Sequence, residues 1–178
     1  IGSRKIVKSQ NSNKLTYDMI RHISEEARHA LFFKNLCYKN FEDICPTYSK
    51  EYLLAGNGAS YYFQGLDRFV GKSLSDDSYL SYLYVTLLVE ERAMSVYQIY
   101  NKLLTQNDFK FNLKSILMEE DRHLSETLEE LKEMDSKFNE RIESLREEEN
   151  RLFSQFLGKI RKITTTDSKG EELLNASL

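Results

Sequence analysis

The 178-residue chain has no tryptophan, one proline (Pro46), seven glycines and two cysteines. So few helix breakers, set among abundant Leu, Glu and Lys, predict long helices and an all-α fold. No segment shows the alternation of a strand. Cys37 and Cys45 form no CxxC pair, which excludes a disulfide scaffold and a cysteine-ligated zinc or rubredoxin-type site. Reduced thiols and a cytoplasmic location are expected. No run approaches the ~18–20 apolar residues of a membrane span, and no apolar leader with a cleavage site opens the chain. Twenty-five basic and 28 acidic residues mix along the sequence to a net charge of −3. There is accordingly no basic face for nucleic acid and no acidic tail.

What is present is an apolar fraction of 40%, enough for one domain with a substantial core. Residues 1–13 are polar and read as a tail or linker, 14–163 as the domain and 164–178 as a frayed tail. A first helix over about 15–38 carries Met19, Ile23, Ala30, Phe33 and Cys37 on one face. Residues 41–75 break the pattern, with a turn at Gly56-Asn57-Gly58, and predict short helices or a functional lid. A second helix starts near Ser75–Ser78 and bears Leu83, Leu87, Met94, Tyr97 and Leu104. A third begins near Asn107–Asp108 and bears Leu113, Leu117, Leu124 and Leu131. Phe138, Ile142, Leu145, Leu152, Phe156 and Ile163 continue at helical spacing. The stripe keeps phase through Met134 and Phe138, so a break at Asp135-Ser136 is left open.

Three histidines are present, and two sit in the same string: Glu25-Glu26-Ala27-Arg28-His29 and Glu119-Glu120-Asp121-Arg122-His123. Residues three apart share a helix face. Glu26 with His29, and Glu120 with His123, can therefore each aim a carboxylate and an imidazole at one point. Positions 26, 90 and 120 are the gaps in the three apolar stripes, and glutamate fills each of them. An ionised carboxylate buried without compensation costs several kcal/mol. Three of them would consume most of a folding free energy of ~5–15 kcal/mol. Arg28, Arg92 and Arg122 each follow an inward glutamate by two residues, ~200° round the helix. They should face outward, Arg28 pairing with Glu25 and Arg122 with Glu119 within their own helices. A divalent ion is the better counter-charge, and mixed carboxylate and imidazole donors suit iron, manganese or zinc. His22 reads as a surface or supporting histidine. Glu149 falls on the last apolar stripe and is a further candidate for the site or its surroundings.

These residues resemble the ferritin-like superfamily of di-iron carboxylate proteins, in which two helices each give a Glu and two others each give Glu-x-x-His. The resemblance covers about residues 15–134 and implies an antiparallel helical bundle with a long crossover between the first and second helices of this chain. The string Glu90-Glu91-Arg92-Ala93-Met94-Ser95-Val96-Tyr97 is similar to third helices of the oxygenase-like branch. It implies metal ligands Glu26, His29, Glu90, Glu120 and His123, with Glu26 and Glu120 bridging and Glu90 terminal. Tyr97 would pack beside them. The implied cofactor is two Fe ions, with Mn or a mixed pair as alternatives. The implied activity is O2- or peroxide-dependent oxidation of a small organic substrate, with an external electron donor and aromatics of 61–70 lining a pocket. A homodimer is an open partner class. A non-catalytic iron-handling bundle, or a metal-free helical interaction module over 113–163, are the competing readings. The family's first helix, with its fourth carboxylate, has no counterpart after Ile1. It lies upstream, or the site is incomplete, or Glu149 substitutes.

Overall fold

The computed structural model describes residues 17–41, 55–75, 77–107 and 109–175, with side chains as far as Ile163. Among the described residues the chain is all-helical, without strands. The helices are α1 (Tyr17–Phe41), α2 (Gly58–Ser73), α3 (Ser78–Gln106), α4 (Lys114–Met134) and α5 (Phe138–Asn175). None is long and apolar enough to cross a membrane. Residues 1–16, and the stretch containing Cys45 and Pro46, lie outside the described residues.

Helix α3 is the centre. Ser81, Tyr82, Leu83 and Tyr84 are buried consecutively, as are Leu87 and Leu88, so more than one face is covered. Asp77 starts it as predicted, its Oδ1 accepting from the amides of Tyr79 (3.1 Å) and Leu80 (2.9 Å). Helix α4 returns antiparallel along one side of α3. It begins at Lys114 rather than near Asn107, because Asn101 Oδ1 accepts from Leu113 N and Asn112 Oδ1 from Lys114 N. These side chains satisfy amides at the helix start and fix where it opens.

The break at Asp135 is real. Its Oδ1 accepts from Lys137 N (2.9 Å), and its Oδ2 accepts from Tyr84 OH (2.7 Å) and Arg141 Nη1 (2.6 Å). Burial pushes the Asp135 carboxyl upward, but these donors outweigh it and hold it below the usual range. Leu131, Phe138, Ile142 and Leu145 stay buried across the turn, which is why the stripe shows no loss of phase. Beyond it α5 runs parallel to α3, Phe138 stacking on Tyr84 and Arg146 reaching Glu91. It continues to Asn175 through the Thr/Ser-rich stretch where fraying was expected. No proline interrupts that stretch, and propagating an existing helix costs little per residue.

Helix α2 lies against α5 and α3 and buries Tyr62, Leu66 and Val70. Its approach to α5 is tight at Gly65, where a Cβ would meet Leu152 Cδ2 at 3.0 Å and that side chain would have to shift. Helix α1 is attached differently. Met19 is buried and Ile23 and Phe33 half-buried, but Ala30, expected on the inner stripe, is exposed. Arg21, Glu25 and Arg28 reach across to charged side chains of α4.

Candidate metal centre

Helices α1 and α4 run antiparallel, as their ion pairs show. Arg21 meets Glu126, Glu25 meets Arg122 and Arg28 meets Glu119. The in-helix pairs Glu25–Arg28 and Glu119–Arg122 expected from spacing are not the arrangement found. Each motif instead pairs with the other. Glu119 Oε2 accepts from Arg28 Nη2 and lies against His29 Nε2, both at 2.7 Å. Glu25 Oε2 does the same with Arg122 Nη2 and His123 Nε2, again at 2.7 Å. A long arginine and a histidine on one helix thus converge on a glutamate of the helix opposite, twice. Burial pushes Glu25 and Glu119 upward, but the facing His and Arg outweigh it and both end below the usual carboxylate range.

This clamp decides which nitrogen of each ring is available. With Nε2 held by a carboxylate, Nδ1 turns inward. His29 and His123 are almost fully buried, and neither Nδ1 has a hydrogen-bond partner. The Glu120 carboxylate lies between them, Oε1 at 3.2 Å from His29 Nδ1 and Oε2 at 3.8 Å from His123 Nδ1. Glu26 Oε1 is 3.7 Å from His29 Nδ1. It stands at the rim, with 37% of its side chain exposed, rather than in the core as its register suggested. Glu90 comes in from α3, only 5% exposed, and neither of its oxygens has a hydrogen-bond partner. All five residues singled out from the sequence are brought to one place.

The electrostatics follow from that crowding. Burial raises the Glu90 carboxyl above its ordinary range, and neighbouring His22 and His123 only partly offset it. Burial acts the same way on Glu120, but His123 and His29 overcome it and take it down to about 2. Burial lowers His29, yet the carboxylates of Glu120, Glu26 and Glu119 bring it up to about 10. Burial also lowers His123, and Glu120 and Glu25 outweigh it to leave a net rise. Tyr97 packs on Phe33, with ring centroids 5.5 Å apart. Burial, then Glu120 and Glu26, push its phenol upward.

Two expectations need correction and one is narrowed. His22 stands beside the candidate ligands, as the supporting reading had it, and not at the surface: its Nε2 is 3.1 Å from Glu90 Oε1, and its ring centroid 4.3 Å from that of His123. Its position one turn before Glu26 was the available signal, since residues at i and i+4 share a face. Glu149 is not at the site. It is buried on the other side of α3, where Arg92 binds both its oxygens (2.9 and 2.6 Å) and Tyr62 OH donates at 2.6 Å. The aromatics of 61–70 do not line a pocket beside Glu90 either. Tyr62 packs on Phe153 and Phe156 of α5, and Lys159 covers the exposed ring of Tyr61.

The donor set fits a divalent ion. Glu26, Glu120 and His123, and separately His22, Glu90 and His123, each offer ligand atoms within 4.8 Å of one another. Around an ion with ligands at ~2.1 Å, donors stand ~3–4 Å apart, so only small side-chain adjustments would close either set. The unpaired Glu90 oxygens and the two bare Nδ1 atoms are what such an ion would satisfy. No family model, no curated protein and no solved structure matches this chain.

Proposed function

We propose that this chain binds a pair of iron ions at Glu26, His29, Glu90, Glu120 and His123 and uses them to oxidise a small organic substrate with dioxygen or peroxide. Manganese, alone or mixed with iron, is the alternative occupant. The observation that carries the reading is the pair of imidazoles held by Nε2 to opposing carboxylates, with Nδ1 bare beside a buried, unpaired Glu90. A buried polar atom left without a partner costs ~1–3 kcal/mol, and more if charged. Bound ions would supply the four atoms concerned, His29 Nδ1, His123 Nδ1 and both Glu90 oxygens, with the partner they lack.

His29 and His123 would each hold one ion, Glu120 would bridge through its two oxygens, Glu26 would close the outer side and Glu90 would bind terminally. Bound there, a redox-active pair supplies one-electron and Lewis-acid chemistry toward dioxygen. The chain's own part is to fix the imidazole tautomers through Glu25 and Glu119 and to exclude water through Met19, Leu87 and Tyr97. Electrons would come from a separate donor. On this reading α1, α3 and α4 are the second, third and fourth helices of a ferritin-like bundle, and residues 42–77, including α2, are its crossover. The first-helix carboxylate of that pattern has no representative among the described residues, since Glu149 is committed to Arg92. The break at Asp135 removes a single continuous heptad helix across 113–163 and leaves the helical-hairpin form of the interaction-module reading as the alternative.

The test is metal content of purified protein, then anaerobic loading with Fe(II) and exposure to oxygen. Two ions per chain and an oxygen-dependent optical change, both lost in Glu120→Ala and weakened in Glu26→Ala, are expected. Trace iron and manganese on purification, with no uptake on loading, would sink the reading.

A further inference from the structure

We infer that His22 is a metal-binding residue, and that it makes the two ion positions unequal by giving one of them two imidazoles. The inference rests on the two-ion reading above and adds a ligand to it. His22 Nε2 lies 3.1 Å from Glu90 Oε1 and 3.9 Å from Glu26 Oε1. Its ring lies alongside that of His123, and one donor atom from each of His22, Glu90 and His123 falls within 4.8 Å of the others. An ordinary ion pair between His22 and Glu90 is the competing account. The two stand at ion-pair distance, but neither Glu90 oxygen is aligned for a hydrogen bond from the ring, so that pair alone leaves both oxygens unsatisfied. Lone-pair donors that converge without bonding one another are disposed around a third body.

The consequence is chemical. One position is bounded by two imidazoles and the deeply buried Glu90. The other is bounded by His29, whose Nδ1 is 3.2 Å from Glu120 Oε1 and 3.7 Å from Glu26 Oε1, with His123, which also lies within reach of Glu26 and Glu120, assigned to the first. Imidazole-rich sets suit Fe(II), Co(II) and Zn(II), whereas carboxylate-rich sets tolerate Mn(II) and Mg(II) better. The His22 position therefore takes the first equivalent of a borderline metal, and a mixed load sorts with manganese at the His29 position.

Titration of chelator-stripped protein with Co(II), followed by calorimetry and visible absorption, tests this on wild type, His22→Gln and His22→Ala. Wild type is expected to take two equivalents, the first more tightly. Both variants should keep one and lose the other, or hold it at least ~100-fold more weakly, since even residues that only orient a ligand cost 10–100-fold. Added imidazole should restore the lost equivalent to His22→Ala while leaving wild type unchanged. Far-UV circular dichroism and melting in chelator establish that the variants are folded. Two equivalents bound by His22→Gln with wild-type affinities would overturn this inference and leave the two-ion reading standing. A wild type that binds no metal would remove both.

Discussion

Helix α3 presents two buried glutamate environments on opposite sides, and they are built on different principles. On one side α5 delivers Glu149, 4% exposed, to Arg92 and Tyr62, so that both its oxygens are engaged. On the other side Glu90, 5% exposed, stands beside His22, His123 and Glu120 without one aligned donor. Burial is the same and compensation is opposite. Where a buried charge serves structure alone, the chain supplies a fixed guanidinium of its own, only two residues from Glu90. At Glu90 no such group is provided. What separates the two sides is that donors of the chain engage both oxygens of Glu149, while Glu90 has only His22 at ion-pair distance and no aligned hydrogen bond.

The largest effect that could break this contrast is on the Glu149 side. Arg92→Met should cost ~3–5 kcal/mol in urea denaturation, because it strands a buried carboxylate. The double variant Arg92→Met/Glu149→Leu should regain most of the loss, since well-packed apolar replacements of a buried pair are often neutral or stabilising. A loss below ~1 kcal/mol in the single variant would mean that Glu149 is not held as described.

A smaller effect of opposite sign is expected across the helix. Glu90→Gln should stabilise the chelator-treated protein by ~1–3 kcal/mol by removing an uncompensated acid, while abolishing the gain that added metal gives wild type. If Glu90→Gln destabilises the metal-free protein as Arg92→Met does, the two environments are alike and the contrast fails.

The smallest effect sharpens the contrast through pH. His29 is raised from 6.5 to about 10, so its contribution to the stability of metal-free protein is fully present below pH 6.5 and fades as pH rises through about 10. Below that upper limit an incoming ion displaces its proton. Calorimetry at pH 8 in buffers of differing ionisation enthalpy should register about one proton released per His29-bound ion. Identical heats in all buffers would show that no proton stands where the ion goes.

Much of this was legible in the sequence, for a definite reason. Positions 90 and 120 interrupt apolar stripes, and a helix turns such an interruption directly into burial, as Glu90 and Glu120 show. Pairing between helices carries no comparable periodic signal. Glu25 and Arg28 are as well spaced for each other as for α4, and only the antiparallel register of α1 and α4 sends them across. Glu26 and Ala30 lie on the expected stripe, yet Glu26 is partly exposed and Ala30 exposed, so the stripe alone did not fix how deeply each sits. Glu149 showed its burial through its stripe but not its partner, since Arg92 lies 57 residues away. The Asp135 turn preserves the phase of the buried positions and so leaves no mark in the pattern. His22 carried little signal, because a lone histidine on a helix specifies little until its neighbours are known.

On the two-ion reading, the reciprocal pairing of α1 with α4 would put metal affinity and helix alignment on the same scale. Sliding α1 by one residue would carry Glu25 away from His123 and His29 away from Glu119 together, freeing both rings to rotate and both Nδ1 atoms to turn off the site. One misalignment would thus cancel both ion positions at once. An insertion or deletion in α1 between Glu25 and His29 should therefore be felt as an all-or-none loss of the centre, whereas one placed beyond Phe33, past the last of these pairs, should leave it assembled.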